Sequence, residues 1–109
     1  MRLVITNEGG GKMNVGVDGY FYLNLDSTGL SEDIHAVQWY GSQGEIEKKD
    51  PVTGKMTANE EITSVDVFQF AVDVWNVAYQ AEQDAIAAAL AAEQEAQQEA
   101  ESADTGATS

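Results

Sequence analysis

Nine of the ten glycines and the only proline of this 109-residue chain lie before Ile62, and neither residue type returns until Gly106. Gly and Pro are the strongest local interrupters of regular structure, so their distribution divides the chain into two kinds of object. The first half can form only short elements joined by turns. The second half can form one uninterrupted helix, which the pattern predicts over about 64–100. Thr63 is positioned as its N-cap, with Asp66 as a shortened capping box and Ile62 and Val67 spaced for a hydrophobic staple. Apolar residues recur at 67, 71, 74, 78, 81, 85, 88 and 92, a 4-3 alternation of Val, Ala, Val and then Ala alone. A bulkier stripe of Phe68, Val72, Trp75 and Tyr79 lies beside it. Those four residues are expected to dock the helix on a sheet, and the Ala/Glu/Gln-rich stretch 81–100 to continue beyond it. Ala is the best helix former but buries little area in a coiled-coil seam, so a solvated and a self-associating helix both fit. Residues 101–109 have the composition of a disordered tail.

The first half reads as strands. "RLVIT" (2–6) is β-branched and stops at Asn7-Glu8-Gly9-Gly10-Gly11. "KMNVGV" (12–17) and "YFYLNL" (20–25) flank Asp18-Gly19, a type I′ hairpin signal. Strict alternation places Phe21, Leu23 and Leu25 on one face and Tyr20, Tyr22 and Asn24 on the other. After the polar loop 26–33, "IHAVQWY" (34–40) and "EIEKK" (45–49) form a second pair around Gly41-Ser42-Gln43-Gly44. The expected fold is α+β: a small antiparallel β-meander (2–49) packed against one long C-terminal helix. Residues 1–80 would form the domain, 81–100 an acidic helical extension and 101–109 the tail.

The net charge of −14 is unevenly spread: residues 64–109 hold nine acidic and no basic side chains. Five Lys and Arg cannot neutralise many phosphates, which excludes direct nucleic-acid binding as the expected role. Acidic side chains can instead imitate phosphates, so an acidic DNA-mimic inhibitor of a host protein is one alternative. The absence of Cys excludes disulfides and thiolate metal sites. No run approaches the roughly 20 apolar residues of a membrane span, and "MRLVIT" is too short for a signal peptide's apolar region.

The sequence presents no catalytic, metal or cofactor motif. His35 is the lone histidine and has no neighbouring ligand set. "NEGGGK" (7–12) lacks phosphate-loop spacing and carries Met13 where a hydroxyl belongs. Residues 50–61 have the length of a Ca²⁺ loop, yet Val52 and Gly54 occupy ligand positions. What remains is an excess of aromatics. Trp39 is expected to pack on Phe68 and Trp75, and Tyr20, Tyr22, Tyr40 and Trp39 are the candidate partner-binding residues.

The stretch "DIHAVQWYGSQGEIEKKDPVTGKMTANEEITSVDVFQFAVDVW" resembles small tailed-bacteriophage proteins encoded near tail-fibre genes. The resemblance covers roughly 33–80. It rests on Val37-Gln38-Trp39 leading through a Gly-containing turn to Glu45-Ile46-Glu47, on Asn59-Glu60-Glu61-Ile62, and on a helix carrying Trp75. It implies a non-enzymatic tail-fibre-associated protein acting by protein–protein contacts, as a fibre assembly chaperone in the host cytoplasm or, alternatively, as a structural component of the virion. Its partner would be a tail fibre or other virion protein, with a weak homo-oligomer through the C-terminal helix as a further contact.

Overall fold

In the computed structural model the backbone is described for residues 1–108 and the side chains for residues 1–99. The strands are β1 (Leu3–Gly9), β2 (Lys12–Val17), β3 (Tyr20–Asp26), β4 (Ile34–Trp39), β5 (Gly44–Lys48) and β6 (Glu60–Ile62). A 3₁₀ turn at Asp66–Phe68 leads into helix α1 (Gln69–Thr108). The fold is α+β, with an entirely antiparallel sheet and one long C-terminal helix. Met1–Ala78 form one compact unit and Tyr79–Ser109 a second.

Strand order is β3-β2-β1-β4-β5-β6. The sheet is thus two three-stranded meanders side by side, joined where β1 pairs β4 from Leu3↔Trp39 to Thr6↔Ala36. A single continuous meander would have put β4 beside β3. The two most apolar strands instead occupy the centre, where both edges of each are paired and burial is greatest. The chain from β3 to β4 must cross three strand spacings, about 14 Å. Residues 27–33 do so, and this loop packs its Leu30 on the core and its Gly29 against Phe70. Strand β6 was not expected. Its residues read as loop because they are few and acidic, and only pairing with Gly44–Ile46 makes them a strand.

One face of the sheet carries the row Tyr22, Val15, Ile5, Val37, Ile46 and Glu60 across all six strands. Its apolar members join Leu3, Met13 and Trp39 in a core closed by Phe68, Ala71 and Trp75. Ten residues of α1, 69–78, belong to the same unit as the sheet. Val72 and Val74 are partly buried beside that core.

The helix begins later than its sequence suggests. Val65 precedes the 3₁₀ turn with no side-chain cap, and the Asp66 amide takes its hydrogen bond from Ser64 Oγ at 3.3 Å. Thr63 caps nothing there, and Val67 is exposed, so no staple forms. Pairing of β6 through Ile62 holds the chain extended where a helical first turn would have started. The backbone remains helical to Thr108, past residue 101 where a tail was expected. Ser109 and the side chains from residue 100 onward lie outside the described residues.

Candidate interaction surface

Asp18 (φ 51°) and Gly19 (φ 86°) both adopt positive φ, the requirement of a type I′ turn, and set β2 and β3 in register as Val17↔Tyr20, Gly16↔Phe21 and Val15↔Tyr22. The register then shifts, and Leu25 rather than Leu23 faces Met13. Asn24 makes this bulge with φ 58°, and its amide donates to Asn14 Oδ1 at 3.0 Å. Asn tolerates the left-handed region better than most residues, which is why it can serve here.

The consequence is a reversal of the expected faces. Tyr20 and Tyr22 lie on the helix side, with ring centroids 6.3 and 5.6 Å from Trp75 and edge-on to it. Trp75 Nε1 donates to the Tyr20 carbonyl at 2.9 Å, so the indole is packed and hydrogen-bonded at once. Trp39 is 6% exposed and belongs to the core. Tyr40 is 54% exposed, beneath the Arg2 guanidinium at 5.4 Å from its ring centre, with its hydroxyl 3.3 Å from Gln38 Oε1. The four candidate residues therefore do not form one patch: Tyr20, Tyr22 and Trp39 pack toward the helix, and Tyr40 stands apart. Of the helix-docking set, Phe68 and Trp75 are buried, Val72 is half-buried, and Tyr79 falls in the second unit and is exposed.

The row on the opposite face runs Phe21, Gly16, Val4, Gln38, Glu45 and Glu61. Phe21, 48% exposed, lies over Gly16 so closely that a Cβ there would be 2.5 Å from its ring. Leu23, in the bulge, is 64% exposed. This face grades from apolar at the free edge of β3 to acidic at β5 and β6. Sequence reasoning assigned Phe21 and Leu23 to one face with Leu25 and so missed the patch. The signal that could have found it was Asn24, a residue suited to a bulge, in mid-strand.

Two concavities flank the sheet's other end. One of about 210 Å³ is lined by Tyr40, Gln43, Gly44, Glu45, Glu61 and Ile62. A more open one of about 340 Å³ has Ile34, Ile46, Phe68 and Phe70 in its lining and Asp33, Lys48 and Glu60 among its polar residues. Lys48 Nζ is 2.9 Å from Glu60 Oε2 and 3.9 Å from Asp33 Oδ2. The hydrogen bond to Glu60, and then its charge, raise the Lys48 pKa above the usual lysine value. Among the described residues no three or more His, Cys, Asp or Glu come together as a metal site would require. Nor, among them, is any helix long and apolar enough to cross a membrane.

Comparison with protein-family models, curated proteins and solved structures returns no match.

Proposed function

We propose that this chain is a non-enzymatic, tail-fibre-associated bacteriophage protein that works by protein–protein contact as a fibre assembly chaperone. The observation that supports a contact role is the patch at the free edge of the sheet. Phe21 and Leu23 expose apolar surface beside β3, which has a neighbouring strand on one side only. An edge strand offers unpaired backbone groups to an incoming strand, and adjacent apolar side chains give that pairing specificity. An immature fibre segment held there would be shielded from mispairing until its own neighbours arrive. The partner class comes from the resemblance of residues 33–80.

Mass spectrometry tests the reading in two samples: an infected-cell lysate and purified virions. A chaperone is expected in complex with fibre protein in the lysate and absent from the particle. Presence in virions at a fixed copy number would make the chain a structural component instead. The Phe21→Ser, Leu23→Ser double variant should lose the lysate complex while keeping its thermal midpoint within a few degrees. Retention of the complex by that variant would remove this face from the contact.

A further inference from the structure

The second unit offers a surface of different chemistry. At roughly 100° per residue, Tyr79, Gln83, Ile86 and Leu90 fall on one side of α1. Ile86 is 46% and Leu90 53% exposed. Glu93 continues along the margin of this stripe. The Ala series at 78, 81, 85, 88 and 92 falls on the other side of the helix, together with Asp84, Glu95 and Glu99. Large apolar side chains and the small-residue series therefore do not share a face, and the former is the one with area to bury.

No Lys or Arg occurs after Lys55. Helix surfaces of soluble proteins normally interleave both signs, and acidic residues three or four apart from Lys or Arg support the helix internally. Here that support has to come from outside the chain. A second copy cannot supply it, since it brings the same carboxylates and again no cation. Two exposed aliphatic residues and part of a Tyr ring are too little apolar area to hold like-charged helices together. We infer that the Ile86–Leu90 face of α1 is a docking surface for a basic amphipathic helix, whose apolar side covers Ile86 and Leu90 and whose Lys or Arg residues reach the flanking carboxylates. This surface is separate from the sheet edge argued above, and its test does not depend on the fibre.

The experiment uses the intact chain and three synthetic peptides of equal length. One has Leu at helical spacing flanked by Lys, one has the same Leu positions flanked by Glu, and one is Lys-rich without Leu. Fluorescence anisotropy at low and high salt reads the affinities. The Leu/Lys peptide should bind at least about tenfold tighter than either control. High salt should weaken it without abolishing the preference over the Leu-free peptide. The Ile86→Ser, Leu90→Ser double variant should lose that preference, and Glu93→Gln should reduce affinity while leaving it salt-dependent. Circular dichroism establishes that each variant keeps its helix. Equal binding of the Leu-free peptide would reduce the interaction to bulk electrostatics and overturn the proposal. So would unchanged binding by the double variant, or a salt-independent homodimer occupying this face.

Discussion

Gly44 and Trp75 have opposite reasons for being irreplaceable. Gly44 stands opposite Trp39, and a Cβ on it would lie 2.2 Å from the Gln38 carbonyl oxygen and 2.9 Å from Trp39 Cα. Those are backbone atoms, so neither can turn aside as a side chain would. Gly44→Ala should destabilise the fold by about 2–3 kcal/mol, the range of overpacking in a rigid site, and thermal denaturation reads it. An unchanged midpoint would mean the turn at 41–44 can open without cost. Trp75 contributes volume and one hydrogen bond, and two substitutions separate them. Trp75→Ala should cost about 3–5 kcal/mol through lost burial and the cavity left behind. Trp75→Phe keeps most of the ring but leaves the Tyr20 carbonyl without the indole donor, an effect of about 1–2 kcal/mol. Equal losses in the two variants would show that the hydrogen bond, not the packing, fixes the helix on β3. The importance of Trp75 was legible in the sequence because a large aromatic in a helical stripe has few places to go. The hydrogen bond was not, since its acceptor lies 55 residues away.

Strands β5 and β6 are the elements whose pairing leans most on a charge. β6 has only three residues, all exposed or half-buried, and Lys48 reaches Glu60 across the pair. Because the folded Lys48 pKa lies above its ordinary value, the pair's contribution is complete below about pH 10.4. It is lost as pH rises through the folded value. Lys48→Met should therefore leave the wild-type chain with the steeper alkaline fall in stability, and should quicken amide exchange at Glu60–Ile62 at neutral pH. Identical alkaline limbs in the two proteins would show that the ion pair is only a surface contact. Neither β6 nor its partner was legible beforehand. A three-residue acidic run has no period, and Lys48 had several carboxylates to choose from.

At the scale of the whole chain, the division between Met1–Ala78 and Tyr79–Ser109 has a direct test. The first unit contains every buried apolar residue of the core, from Leu3 to Trp75. A chain truncated after residue 78 should keep its near-ultraviolet circular dichroism and its cooperative unfolding. The ten helical residues that remain are then held by packing rather than by length. Loss of cooperativity would make the second unit part of the fold. For the intact chain, nine carboxylates without a cation in 64–109 favour a monomer at low salt. Any self-association should strengthen as salt screens them, which sedimentation equilibrium measures. A tight oligomer at low salt that survives truncation would locate the interface on the sheet.

Local chemistry was readable from the sequence wherever one short segment decided it. Asp18-Gly19 fixed the β2–β3 turn, because few other pairs accept positive φ at both positions. The confinement of Gly and Pro to the first half required an α+β chain with one long helix. Tertiary structure decided what depends on a distant partner. β4 chose β1 over β3 because the most apolar strands gain most from the centre of the sheet. β6 became a strand by pairing with β5, and the helix start moved from residue 64 to the turn at Asp66–Phe68 in consequence. One bulged position at Asn24 reversed which side chains of β3 face the helix. In a strand, whose side chains alternate with a period of two, a single extra residue exchanges core for surface, and no local propensity is strong enough to reveal it in advance.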